Sequence, residues 1–294
     1  MKKINFLNSN KNYLGLKQPN FNNSKVIIVP FGLEKTVTYG KGTKNGPDMI
    51  LDASHQLELY DDEFKKETYM DFNPLTLKIN KIPLKLTDSL NYLSNTVEKI
   101  LSVNKFPLIL GGEHTITSAC IKPFVAKNKE LLIIHFDAHT DLRNTYEKNI
   151  NSHACVMRRC LDHKNVKIIS LGIRSTSAKE IDFINKNKSR IKIFWAKNYE
   201  SWDINELIKL IKNKKIYITF DVDVFDPSIM ASTGTPEPGG LEWNFILKLL
   251  RKIIKNSQLL GVDINELAPI KNLNSCNFLV SKLVYKILSY KFSK

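Results

Sequence analysis

The segment Leu131-Leu-Ile-Ile-His-Phe-Asp-Ala-His-Thr-Asp141 constrains this chain more than any other. An apolar run leads straight into Asp137, His139 and Asp141, three possible metal ligands at alternate positions. An apolar run of this length marks a strand buried on both faces, as in a parallel sheet. If the backbone stays extended past the strand, side chains at i, i+2 and i+4 leave on one face. The same alternation is taken to turn His135 away from that face, into packing or a supporting place behind the ligands. The carboxyl end of such a strand is where open α/β sheets place their ligands. A buried strand followed by a solvated acidic turn gives the same pattern, so the reading depends on partners elsewhere.

Those partners are sought along the chain. Lys25-Val-Ile-Ile-Val-Pro30 reads as a first strand, and Thr36 to Pro47, with Gly40, Gly42 and Gly46, as a loop. Pro47 suits the first turn of a helix. A β-region is expected near Asn73 to Ile82, then a helix capped by Thr87 or Asp88 with Leu90, Leu93, Val97 and Ile100 on one face. Further strands are expected at Phe106–Leu110, Val166–Leu171, Ile191–Trp195, Ile216–Phe220 and Leu259–Asp263. Helical patterns lie between them, at 177–186, 204–213 and 243–255, and an amphipathic helix over about 277–290 closes the chain. Strands alternating with helices predict α/β architecture: a single doubly wound domain over 25–294, with a central parallel β-sheet flanked by helices. Residues 1–24 read as an irregular polar lead-in.

Composition narrows the class. No stretch approaches the roughly 18 consecutive apolar residues of a membrane span, and the Lys- and Asn-rich start lacks the apolar core of a secretory signal. The cysteines at 120, 155, 160 and 276 show no CxxC spacing, which suits a reducing compartment. A cytoplasmic protein is therefore expected. The net charge of +15 is spread along the chain, without the clustered arm or motif of a nucleic-acid binder.

The chemistry lies at strand ends. His114, then Asp137, His139 and Asp141, then Asp221 and Asp223, and finally Asp263 and Glu266 each follow a strand-like run. Two imidazoles and four carboxylates can hold two divalent ions with little net buried charge. An oxygen-rich set with His and no thiolate points to Mn²⁺, with Fe²⁺, Co²⁺ and Zn²⁺ also allowed by geometry. Two close cations would lower the pKa of a shared water towards neutrality. Such a nucleophile suits an amide, a phosphate ester or a guanidinium carbon, and these residues do not choose among them.

Gly-Gly-Glu-His (111–114), Phe-Asp-Ala-His-Thr-Asp (136–141) and Phe-Asp-Val-Asp-Val-Phe-Asp-Pro (220–227) together resemble the ureohydrolases, the arginase and agmatinase family. The resemblance continues through 36–43, 234–241 and 261–269. It implies two Mn²⁺ per subunit, one held by His114, Asp137, Asp141 and Asp221, the other by Asp137, His139, Asp221 and Asp223. It also implies that Glu266 grips the guanidinium of the substrate, and that members assemble as homotrimers or homohexamers. His153, in Ser152-His-Ala-Cys155, is the candidate proton shuttle, since an imidazole can exchange a proton near neutral pH. Cys155 beside it has no surroundings of a nucleophile.

The loop after Asp141 lacks the Thr-Thr-Ser-Gly-Asn run of arginases, and Ser152-His-Ala-Cys-Val-Met-Arg-Arg159 resembles the agmatinase branch. The expected reaction is hydrolysis of agmatine to putrescine and urea, with Asp141 orienting the nucleophile. Glu237 is the candidate for the distal amine. Arg143 is an unexpected neighbour for a cationic substrate, unless it turns outward or pairs with Glu147. It keeps guanidinobutyrate-type substrates open, alongside arginine and a catalytically silent relative.

Overall fold

In the computed structural model, which describes residues 5–17 and 19–294, the apolar runs become strands as expected. The strands are β1 Val26–Phe31, β2 Tyr60–Asp61, β3 Lys66–Glu67, β4 Leu75–Thr76, β5 Phe106–Gly111, β6 Leu131–Phe136, β7 Val166–Ile173, β8 Ile191–Trp195, β9 Lys215–Asp221 and β10 Gln258–Asn265, of which the short polar β2 and β3 follow no apolar run. The helices are α1 Gly46–Ser54, α2 Tyr69–Phe72, α3 Leu86–Ser102, α4 Thr117–Cys120, α5 Lys122–Lys127, α6 Val156–Leu161, α7 Ala178–Lys186, α8 Ile204–Ile211, α9 Trp243–Asn256 and α10 Asn274–Phe292. Eight strands form one sheet in the order β4-β1-β5-β10-β9-β6-β7-β8, with every neighbouring pair parallel.

The middles of the long strands are largely apolar on both sides because both faces are covered. Val26, Ile28, Leu108, Ile134 and Ile218 pack with Leu249, Ile253, Val280 and Leu283 of α9 and α10. Ile27, Val29, Ile109 and Ile133 pack on the other face with Leu93, Val97 and Ile100 of α3 and Met157 of α6. Each such fully buried side chain contributes roughly 1.5–3 kcal/mol of transfer free energy. This is the doubly wound arrangement that strand–helix alternation predicts.

Several local expectations are corrected. The β-region near Asn73 to Ile82 shrinks to Leu75–Thr76. It is an edge strand entered from Pro74, and proline supplies no ladder donor. Neither Thr87 nor Asp88 caps α3: Lys85 holds that position without a side-chain cap. Asp88 instead lies in the first turn, where a carboxylate complements the helix dipole. The closing helix α10 is not amphipathic. Val280, Leu283, Val284, Ile287 and Leu288 share burial with Ser281, Lys286 and Ser289 around nearly its whole circumference.

Lys286, almost fully buried, is compensated by the acidic stretch before β3. Its Nζ lies 3.0 Å from Asp61 Oδ2 and 2.6 Å from Glu63 Oε1, as a buried cation requires. The lead-in is stitched to the core as well. Tyr13 is fully buried and donates to the Ser281 carbonyl at 2.8 Å, while Asn12 pairs with Pro74 and Thr76 of the edge strand. Among the described residues, no helix is long and apolar enough to cross a membrane.

Candidate active site

Four adjacent strands, β5, β10, β9 and β6, end at one place, and the side chains singled out in the sequence follow them. In chain order β6 comes after β5, yet β10 and β9 lie between them. That reversal opens a crevice at the carboxyl ends of the strands. His114 follows β5 in a short 3-10 turn. The chain can reach it only through glycine, because a Cβ on Gly112 would lie 2.1 Å from the Leu33 carbonyl oxygen.

The backbone does not stay extended to Asp141, as the sequence pattern assumed. Asp141 adopts a left-handed conformation at φ 51°, as does Glu266 at φ 67°. Non-glycine residues in this region store strain that the surrounding fold must hold, and such residues concentrate at functional sites. Here the turn swings Asp141 inward while its carbonyl accepts the Met157 and Arg158 amides at the start of α6.

The side chains converge in two overlapping groups. His114 Nδ1 lies 3.1 Å from Asp137 Oδ2, 3.2 Å from Asp141 Oδ2 and 3.4 Å from Asp221 Oδ2. His139 Nδ1 lies 2.9 Å from Asp223 Oδ2 and 3.6 Å from Asp137 Oδ1. Asp137 therefore offers one oxygen to each group. Asp221 also ties the groups together, since its Oδ1 accepts the Asp223 amide at 2.9 Å.

His114 gives the clearest sign that a cation belongs here. Its Nε2 is bonded to Thr219 Oγ1 at 2.8 Å. Thr219 spends its own hydrogen on Asp263 Oδ1 at 2.7 Å, so it can only accept from the ring. The neutral imidazole then presents the bare lone pair of Nδ1 to three carboxylate oxygens, and this buried atom has no hydrogen-bond partner. Only a proton or a metal ion satisfies that arrangement, and the nitrogen and oxygen donors suit Mn²⁺-like ions. Asp263 thus sits behind the site rather than in it, also held by Tyr217 and Thr117. Fixing a ligand's tautomer from behind is the usual outer-shell role at metal centres.

His135 corrects the alternation argument. Positions 135 and 137 share parity, and His135 Nε2 lies 2.7 Å from Asp137 Oδ2 with Nδ1 3.0 Å from Ser170 Oγ. Both ring nitrogens are thus engaged in holding Asp137 from the sheet side.

Without a cation the cluster strains its own protonation. Burial pushes Asp221 well above the usual carboxylate range, and the neighbouring charges of Asp223 and Asp137 add to it. Burial opposes protonation of His139, yet the Asp223 and Asp137 carboxylates outweigh it and raise the imidazole to about 12. His114 is likewise held well above its ordinary value, its three carboxylates prevailing over burial. The carboxylates thus favour a proton on each imidazole, and a metal must displace it. Loading metal at pH 7.5 should release protons, and metal affinity should weaken as pH falls. Calorimetry in two buffers of different ionisation enthalpy measures this. Metal uptake without proton release would refute it.

A cavity of about 250 Å³ opens above the cluster, lined on its rim by Glu266, His153, Arg143, Tyr146 and Tyr39. Glu266 accepts the His114 amide at 2.5 Å. Burial, little offset by that bond, pushes its carboxyl up to about 8. His153 forms part of the wall. Arg143 pairs with Glu180 rather than Glu147, at a loose 3.9 Å, and lies over the Tyr146 ring at 5.0 Å. Glu237 does not line the cavity. Its carbonyl is occupied by Arg174 at 2.7 Å, so the expected role for it at a distal amine is not carried by this geometry. The Cys155 thiol is pushed up to about 11 by burial and the Asp141 charge, far from a nucleophile's range.

Two residues of the site escaped the sequence reading. Arg174 donates to the carbonyls of Asp223, Val224, Phe225, Glu237 and Pro238, strapping the turn that carries Asp223 to the 231–240 loop. Glu180 completes a capping box on α7 and also takes Thr140 Oγ1 and the Leu142 amide, bracing both sides of Asp141. Their position, immediately after the strand beside β6, was the available signal.

Comparison with known proteins agrees with this geometry. The profile of the arginase family matches residues 24–289. The N(1)-aminopropylagmatine ureohydrolase of Synechocystis is 35% identical over 274 residues, covering 90% of this chain and 88% of that protein. The agmatinase of Bacillus cereus is 33% identical over 266 residues, covering 86% of each. The crystal structure of the agmatine ureohydrolase of Thermoplasma volcanium superposes with a TM-score of 0.82 at 26% identity, covering 93% of this chain and 92% of that one. The chain belongs to the arginase family. Within that family it is an agmatinase-like ureohydrolase.

Proposed function

We propose that this enzyme hydrolyses agmatine to putrescine and urea at a pair of Mn²⁺ ions. The bare, buried Nδ1 of His114, facing the oxygens of Asp137, Asp141 and Asp221, is the observation that carries the reading. One ion would be held by His114, Asp137, Asp141 and Asp221, the other by Asp137, His139, Asp221 and Asp223. Bound there, the ions supply Lewis acidity that makes water nucleophilic near neutral pH. Glu266, on the rim of the same cavity, pairs with the planar guanidinium and holds its carbon over the cluster. Asp141 accepts a hydrogen bond from the attacking water and orients it. The water oxygen bonds to the guanidinium carbon, the bond from that carbon to the alkyl nitrogen breaks, and the water's protons pass to the departing amine. His153 carries a proton between the cavity and solvent.

The Synechocystis relative favours a second reading, in which the substrate is agmatine extended by an aminopropyl group. Arg143 on the rim keeps guanidinobutyrate-type acids in the comparison. We place the reaction in the cytoplasm, in a homotrimer or homohexamer. Urea release with Mn²⁺ should give the highest kcat/KM on agmatine when compared with its N1-aminopropyl derivative, 4-guanidinobutyrate and arginine. Preference for another of the four would reassign the substrate. No urea from any of them would end the enzymatic reading and leave a silent relative.

A further inference from the structure

We propose that Thr36, anchored on the buried carboxylate of Glu113, is a positioning residue that sets the tautomer of His153 and so readies its Nε2 to take a proton. The inference deepens the proposed function and rests on its reading of His153 as the proton shuttle. Neither Thr36 nor Glu113 is used by the metal cluster or by substrate binding as described above.

Glu113 is fully buried. Its Oε2 accepts the Lys35 amide at 2.9 Å and the Thr36 amide at 2.6 Å, and lies 3.2 Å from Thr36 Oγ1. An oxygen that accepts from two amides carries no proton of its own, so it can only accept from the hydroxyl as well. The Thr36 hydroxyl has one hydrogen and two lone pairs. The hydrogen goes to Glu113. One lone pair accepts the His153 backbone amide at 3.0 Å. The other faces His153 Nδ1 at 3.2 Å, where an oxygen that has already spent its hydrogen can only accept.

A bond to Thr36 therefore calls for the ring hydrogen of neutral His153 on Nδ1, whose other neighbour is the more distant Ser152 Oγ at 3.4 Å. Nε2 is left with its lone pair, in a ring that forms part of the cavity wall. That is the form a general base needs. The same hydroxyl fixes the backbone and the ring of one residue, so removing it loosens both. Thr115 Oγ1 lies 3.2 Å from Thr36 Oγ1, whose hydrogen and two lone pairs are already engaged.

The test separates positioning from bulk structure. Thr36→Val keeps the volume and removes the hydroxyl. It should lower kcat by about tenfold to a hundredfold, a part of what a general acid–base supplies, with KM and metal content within about twofold. Thr36→Ser restores the hydroxyl and should recover most of kcat. The chain has six histidines, so 15N-histidine NMR, with His153→Asn for assignment, reads the tautomer directly. Wild-type His153 protonated on Nε2 in the neutral form would overturn the proposal whatever the variants do. So would a Thr36→Val enzyme with wild-type kcat, or a Thr36→Ser enzyme as slow as the valine variant. His153→Asn tells the two readings apart. If that variant is inactive and Thr36→Val is not impaired, only the relay falls; if it is fully active, the shuttle falls and takes the relay with it.

Discussion

Asp137→Ala removes metal and activity together. Asp137 places an oxygen beside each imidazole, Oδ2 at His114 and Oδ1 at His139. Its loss should cost both ions, whereas losing Asp223 strips only the His139 side. The variant also leaves His135 and His114 without their common anion in a fully buried pocket. Metal content should fall from the two ions proposed per chain to below one. Activity should fall by about a thousandfold or more, since the ions supply several kcal/mol of transition-state stabilisation and each decade is about 1.4 kcal/mol. Elemental analysis of the purified variant, dialysed against Mn²⁺, is the deciding measurement. Two ions at full occupancy in Asp137→Ala would refute the shared-carboxylate assignment even if activity were lost.

The fold and the cluster were legible in the sequence to different depths. Strands buried on both faces announce themselves as apolar runs, and β5, β6, β9 and β10 fall where those runs lie. Each run also ends in a carboxylate or imidazole, so parallel strands alone bring His114, Asp137, Asp221 and Glu266 to one end of the sheet. What escaped depends on departures from regular backbone or on distant partners. The left-handed turn at Asp141 has no signature in a non-glycine residue. His135 was misread through parity, an error the alternation rule itself corrects once 135 and 137 are counted together. The burial of α10 around nearly its whole circumference depends on Lys286 meeting Asp61 more than 200 residues away, and no helical period reveals such a partner. Arg174 lies outside every motif, and only its carbonyl partners reveal its place in the site.

Glu266→Gln should lower kcat/KM on a guanidino substrate by about a hundredfold while leaving metal content unchanged. The substitution keeps the volume, and the amide oxygen can still accept the His114 backbone hydrogen at the Oε1 position. It removes only the charge that would meet the guanidinium. Breaking one side of a buried, hydrogen-bonded charge pair costs about 2–5 kcal/mol, and a hundredfold lies in the lower part of that range at about 1.4 kcal/mol per decade. Metal content should hold, because no oxygen of Glu266 belongs to either ligand group. Glu237→Gln is the internal control. Its carbonyl is pinned by Arg174 and its side chain lies outside the cavity, so kcat/KM should stay within about twofold, as for a surface change. The opposite pattern, with Glu237→Gln crippling turnover and Glu266→Gln tolerated, would move the substrate's charged end to the 231–240 loop and reverse its orientation over the cluster.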